Sequence, residues 1–327
     1  MGLMSALELN AFPPKTHIQR WMRHGTVNSM MHGDQVHIDV DIVRAMILDQ
    51  FPEYSHERVE QLCTTGTVNA IFRIGSSLAA RFPLRAANPI DSVDLLRKEA
   101  EAMTEFANHC PLGTPRPIGI GRPGPHYPMP WAVQSWIEGD VATQDGLAVS
   151  TTFATDIAHL IESLRAADTK GRGFDRQGRG GNLSDHDDWM AICLKNSEGL
   201  LDVSRLRRKW AQLRELPPCG PDVMSHGDLT PANLLVRGEH LAGVLDCGSF
   251  GPADPALDLV AAWHLLAHDQ RETVRSHLRS SKIEWKRGAA WAFEQGMGLV
   301  WYYRNSNPAM SALGRSTLDR ILDDPEI

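Results

Sequence analysis

No stretch of this 327-residue chain reaches the roughly 18 uninterrupted apolar residues that a membrane span requires. The apolar start, Met1 to Leu7, has no basic segment ahead of it and meets Glu8 at once, unlike a secretory signal. Cysteine is scarce: Cys63, Cys110, Cys193, Cys219 and Cys247 are odd in number, widely spread and form no C-x-x-C pair. Neither a disulfide framework nor a structural zinc site is therefore expected, and the thiols read as reduced. Positive charge is not in excess either. The formal net charge of −7 argues against nucleic acid as a partner and favours approach of a cationic ligand, although an acidic surface also serves solubility alone. The expectation is a cytoplasmic protein with no membrane partner. Its 42% apolar content is ordinary for a globular chain, long enough for two modest domains or one two-lobed enzyme.

What is present is one chemically dense stretch, running from Val223 through His226, Gly227, Asp228 and Asn233 to Val236, followed by a short apolar run from Leu241 into Asp246, Cys247 and Gly248. An Asp and an Asn stand five positions apart in a turn, and a second Asp ends the next strand. That set supplies a base and two oxygen ligands for a hard cation, the parts a phosphoryl-transfer site needs. The stretch resembles the catalytic segment of the aminoglycoside phosphotransferase family, the antibiotic-kinase branch of the protein-kinase-like fold, in its His-Gly-Asp-x-x-x-x-Asn pattern and the Asp-x-Gly that follows. The resemblance runs from about residue 33 to near the C-terminus. Thr230 stands where many relatives carry His, and Cys247 where Phe is usual; both bear on packing and not on the three chemical residues. The resemblance implies an α+β, two-lobed fold. Residues 1–32 would be a tail, 33–137 an N-lobe with a small antiparallel sheet, and 138–327 a larger, mainly helical C-lobe. It also implies ATP or GTP as phosphate donor, with Mg²⁺.

In chain order, residues 1–32 lack a clear period, and a chain beginning at Met31 is expected to fold. Residues 39–51 show helical spacing, with Asp39 or Asp41 as cap and Pro52 as stop. Three short strands follow at 59–62, 70–74 and 78–82, a hairpin pattern suited to a sheet. The turn with Thr65, Gly66 and Thr67 reads either as a plain hairpin connection or as a loop whose N–H groups and hydroxyls cradle phosphates, the role the resemblance implies. Arg81 falls where kinases hold the α- and β-phosphates. Alternatively it is a solvated strand residue, and Arg73 and Arg85 compete for the role. In the helix expected over 91–109, Glu99 lies about 60° from the apolar direction set by Leu96, whereas Glu101 points well away. Glu99 is thus the better partner for Arg81, an assignment that rests mainly on the resemblance.

Beyond a Pro- and Gly-rich stretch with one short strand at 118–120, residues 131–137 alternate as a strand. The resemblance makes its exit a hinge, with the backbone of Gln134, Ser135, Trp136 and Ile137 against the purine edge. An amphipathic helix is expected over 155–167. The Gly- and Arg-rich residues 171–181 follow a helix rather than a strand, which fails the context of a dinucleotide turn, and they read as a flexible loop. Asp185, Asp187 and Asp188 then open a helix as caps, or Asp185 and Asp188 rim the site of an amine-bearing substrate. Asp258 resembles the family's brace for the catalytic loop, or is an N-cap of an apolar helix at 259–266. The aromatics from Trp285 to Tyr303 are core residues of helices, or the floor of a substrate cleft.

The expected activity is an Mg²⁺-dependent transfer of the γ-phosphoryl group onto a hydroxyl of an aminoglycoside-like antibiotic. Asp228 would act as base, Asn233 and Asp246 as metal ligands, Arg81 and Glu99 on the phosphates, and His226 and Asp258 as supports. Macrolide kinases and kinases of metabolites such as choline or homoserine are the alternative acceptor classes. A metallohydrolase is disfavoured because only one His lies near the carboxylates. A non-catalytic nucleotide sensor is disfavoured because all three transfer residues are kept.

Overall fold

The computed structural model describes residues 36–62, 69–84 and 88–327. The tail, the turn with Thr65, Gly66 and Thr67, Cys63 and Arg85 lie outside the described residues.

Helix α1 (Val40–Gln50) begins where the Asp39 carboxylate accepts from the backbone N–H groups of Asp41 and Ile42, and Pro52 follows its C-cap. It buries Val43, Met46 and Ile47 against a five-stranded antiparallel sheet. The strands are β1 (Val59–Leu62), β2 (Asn69–Ile74), β3 (Leu78–Pro83), β4 (Pro117–Gly121) and β5 (Trp131–Ser135), ordered β1-β2-β3-β5-β4. Alternation along β2 buries Ala70, Phe72 and Ile74. Phe82 stacks on Trp131 with ring centroids 4.6 Å apart and meets Phe72 and Tyr127 edge-on. The strand expected over 131–137 ends at Ser135.

Helix α2 (Pro89–His109) is capped by Asn88. Its C-terminal end buries Met103 and Phe106 in the larger hydrophobic cluster, which is otherwise built from residues 142–321. That larger unit contains the short strand β6 (Asp140–Val141) and the helices α3 (Thr151–Arg165), α4 (Asp187–Asn196) and α5 (Val203–Leu213). It continues with β7 (Val223–Ser225), β8 (Leu234–Arg237), β9 (His240–Val244) and β10 (Gly251–Ala253). Four helices complete it: α6 (Val260–Leu265), α7 (His268–Leu278), α8 (Lys282–Tyr302) and α9 (Pro308–Asp323). Strand β7 pairs with β10, and β6-β8-β9 form a separate sheet. These two small sheets carry the loops that hold the chemistry.

Helix α8 runs through the middle of the larger unit, buried from Arg287 to Val300 without a solvent face. Trp285 and Trp291 are fully enclosed and Tyr303 is buried, whereas Trp301 and Tyr302 are half-buried. Among the described residues no helix is long and apolar enough to cross a membrane.

Candidate active site

Strand β7 delivers His226, Gly227 and Asp228 into a loop whose backbone is pinned from below. Asp258 accepts the N–H of His226 at 2.9 Å on one carboxylate oxygen and that of Gly227 at 2.9 Å on the other. Gly227 has φ +82°, a conformation that favours glycine and lets the chain turn at once into Asp228. The His226 ring is fully buried, accepts the Asp228 N–H on Nδ1 at 3.3 Å and donates from Nε2 to the Leu245 carbonyl at 2.9 Å. That bond ties the Asp228 loop to the strand end that carries Asp246. Phe106 of α2 packs edge-on against both His226 and Phe250.

Asn233 closes the turn. Its amide nitrogen donates to the Asp228 carbonyl at 2.8 Å and to the Asp228 carboxylate at 3.2 Å, which turns its amide oxygen the other way. Its own carbonyl accepts from Leu245 N at 2.8 Å, so Asn233 and Asp246 are held in register. Asp246 sits at φ +55°, ψ +46°, and its side chain is one-third exposed. An amide oxygen and a carboxylate offered together, with phosphate oxygens and water left to fill the other positions, fit Mg²⁺. Among the described residues no group of three or more His, Cys, Asp or Glu converges as a metal-binding set.

Arg81 on β3 reaches both Glu99 of α2, at 4.0 Å, and Asp246, at 3.6 Å. The apolar-edge placement of Glu99 thus turns it inward to Arg81, and it is 6% exposed. Gly248 lies directly beneath: a Cβ there would come within 3.1 Å of the Glu99 side chain. Arg73, the competitor for the phosphate role, is engaged elsewhere, ion-paired with Glu138 and stacked over Trp136 at 4.8 Å. Gln134 pairs with Ala79 and Pro117 in the sheet, and the N–H groups of Ser135 and Trp136 donate to Arg116 O and Ser77 O. Ile137 is the first residue past these pairs.

Of residues 171–181, read as a flexible loop, Gly178, Arg179 and Gly180 are buried, and Arg179 reaches the site. Arg179 is 9% exposed; its Nε donates to Glu294 at 2.7 Å and its Nη1 to the Asp228 carboxylate at 3.4 Å. Gln295 donates to the same Asp228 oxygen at 3.1 Å, and its own amide oxygen lies 2.6 Å from Nε2 of the buried His264. Burial alone would raise the Glu294 carboxyl, but Arg179 and His186 outweigh it and hold the group below its ordinary range. Burial pushes His264 down to about 4, so the ring is neutral and donates from Nε2 to Gln295. Arg179, Glu294, Gln295 and His264 went unread in the sequence; an adjacent Glu-Gln pair inside an apolar helix was the signal that could have found the middle two.

Asp187 accepts from Trp210 Nε1 at 2.9 Å and ion-pairs with Arg214, fastening α4 to α5. Asp185 and Asp188 are exposed, and Asp185 accepts from Asn182 at 3.4 Å. The cysteines Cys110, Cys193, Cys219 and Cys247 are free. Burial raises the Cys247 thiol, which lies 3.1 Å from Thr114 Oγ1, and pushes Cys110 up to about 11. Neither is a thiolate at neutral pH.

The model of the phosphotransferase enzyme family (APH) matches residues 62–291. No curated protein matches the chain in sequence. Among solved structures, the GDP and kanamycin complex of APH(2")-IIIa is 19% identical, with a TM-score of 0.63 over 85% of this chain and 97% of that one. Macrolide 2'-phosphotransferase MphH from Brachybacterium faecium is 17% identical, with a TM-score of 0.53 over 80% of this chain and 91% of that one. The ADP-bound aminoglycoside phosphotransferase APH(2'')-Ib is 16% identical, with a TM-score of 0.54 over 87% and 99%.

Proposed function

The chain belongs to the phosphotransferase enzyme family, and from that premise we propose that it moves the γ-phosphoryl group of ATP or GTP onto a hydroxyl of a small molecule, with an amino-sugar antibiotic as the first acceptor class to test. The observation that carries the reading is the convergence of Asp228, Asn233 and Asp246: Asn233 bonds the Asp228 carboxylate through its amide nitrogen and the N–H of Leu245, the residue before Asp246, through its carbonyl, while Arg81 reaches Asp246 from the opposite sheet.

In this reading Asp228 orients the acceptor hydroxyl and takes its proton, and the Asn233 bond keeps the carboxylate facing the cleft. Asn233 and Asp246 would hold Mg²⁺, which when bound neutralises charge on the phosphate oxygens. Arg81, steadied by Glu99, offers a planar cationic fork to the phosphates. Thr65, Gly66 and Thr67 would cover them. The base would meet the backbone at Ile137 and at the remaining carbonyls of Gln134, Ser135 and Trp136, the boundary between an N-lobe over 33–137 and a C-lobe over 138–327. His226 and Asp258 support the loop. Positioning and electrostatics supply most of the acceleration in such reactions.

Solved relatives support nucleotide use, since they hold GDP or ADP. For the acceptor, one solved relative is a kanamycin complex and another a macrolide 2'-phosphotransferase. Exposed Asp185 and Asp188 would meet an amine-bearing acceptor at the rim. The test is mass spectrometry of aminoglycosides, macrolides and hydroxylated amines after incubation with the protein, Mg²⁺ and either ATP or GTP. A phosphorylated product in one class is expected. Loss of triphosphate with no phosphorylated compound in any class would contradict it.

A further inference from the structure

The proposed transfer gives Arg179 no task, although its guanidinium lies against Asp228. Loop arginines are ordinarily exposed; this one is 9% exposed and fixed at its Nε by Glu294 at 2.7 Å. Glu294, itself 1% exposed, is held on its other oxygen by His186 Nδ1 at 3.2 Å. With Nε anchored, Nη1 is directed at Asp228 Oδ1, 3.4 Å away. The backbone that carries Arg179 is equally constrained. Gly180 has φ +136°, and a Cβ there would lie 2.7 Å from that of Ala253. Its carbonyl accepts from Asp254 N at 2.8 Å, and that of Gly181 accepts from Arg287 at 3.2 Å. A buried ion pair made only for packing needs one carboxylate. Here the guanidinium spans two, and the second is the base.

We propose that Arg179 is a positioning residue for phosphoryl transfer: anchored by Glu294, it fixes the rotamer of the Asp228 carboxylate toward the acceptor hydroxyl. The inference rests on the reading of Asp228 as the base. Arg179 Nη1 and Gln295 Nε2 hold Oδ1 while Asn233 Nδ2 holds Oδ2, so donors from three separate segments set one side chain. Removing the guanidinium takes one donor from Oδ1 and lets the carboxylate shift on those that remain. A misplacement on the order of 1 Å costs about 10²-fold in rate.

The test compares wild type with Arg179→Met, Arg179→Lys and the double variant Arg179→Met/Glu294→Gln, which removes the carboxylate the first change would strand. Steady-state kinetics, nucleotide binding by calorimetry, thermal melting and crystal structures are measured for each. Expected are a kcat lower by about 10- to 100-fold in Arg179→Met with unchanged nucleotide affinity, partial recovery in Arg179→Lys, and a double variant that regains melting temperature without regaining kcat. Unchanged kcat in Arg179→Met, or recovery of kcat together with stability in the double variant, overturns the proposal. If wild type transfers phosphate to no acceptor, the functional reading fails by itself. The crystals still decide the positioning: an Asp228 side chain displaced in Arg179→Met supports it, and one in its original rotamer overturns it.

Discussion

At the scale of single residues, Asp246 joins a backbone requirement to a chemical one. Its left-handed φ of +55° costs an ordinary side chain about 1–2 kcal/mol, and Asn is among the few residues that share Asp's tolerance of it. Asp246→Asn is therefore expected to leave melting temperature unchanged while lowering transfer on the order of 10²-fold, since the carboxylate proposed to hold Mg²⁺ is gone. A parallel loss of stability would instead make Asp246 a turn residue first. His264 makes the complementary case, a residue whose charge state serves stability. Its folded pKa of about 4 lies below the ordinary 6.5, so between those values the unfolded chain binds more protons. Stability is thus complete above about pH 6.5 and is lost as pH falls toward 4, by up to about 3 kcal/mol. Denaturant titrations at pH 7 and pH 5 should show a drop about 2 kcal/mol smaller in His264→Gln than in wild type. An identical drop in both would remove His264 as the cause.

Elements explain why some of the site could be read from the sequence and some could not. Strands β2 and β3 and helices α1 and α2 announce themselves by period, and α2 places Glu99 at the edge of its apolar stripe, which is where the fold puts it beside Arg81. Asp228, Asn233 and Asp246 are near neighbours along the chain, so spacing alone suggested that they belong together. Helix α5 went unread although Asp202 caps it and Leu206, Trp210 and Leu213 repeat at helical spacing; its charged remainder hid the stripe. Arg179 could not be placed at all. Its partner Glu294 lies 115 residues away, a pairing set by the path of α8 through the core and not by any local pattern. The Gly-rich loop makes the same point in reverse: its glycine at 180 marks a close backbone approach and not a phosphate cradle. Gly180→Ala should push the loop off β10, lowering kcat about as far as Arg179→Met does and costing on the order of 1–3 kcal/mol of stability. Wild-type kinetics in that variant would uncouple the loop from the site.

Over the whole molecule, Arg81, on the sheet that packs the smaller of the two main hydrophobic cores, reaches Glu99 of α2 and Asp246, both on elements packed against the larger one. Gly248 lets the Asp246 turn lie flat against α2, so the two units share one contact surface at the site. Nucleotide bound there would stabilise both, and saturation at about 100 times Kd contributes about 2.7 kcal/mol. Mg²⁺ with triphosphate should accordingly raise the melting temperature in wild type and much less in Arg81→Ala. Equal shifts in the two would take the phosphates away from Arg81.

In the proposed reaction the Asp228 carboxylate takes a proton from a hydroxyl while triphosphate is held by its neighbours. Single-turnover transfer from a γ-labelled triphosphate, run on wild type and Asp228→Ala with nucleotide affinity measured on the same samples, tests it most directly. Transfer slower by about 10²–10⁴-fold in the variant at unchanged nucleotide affinity is expected. Transfer at the wild-type rate would contradict it.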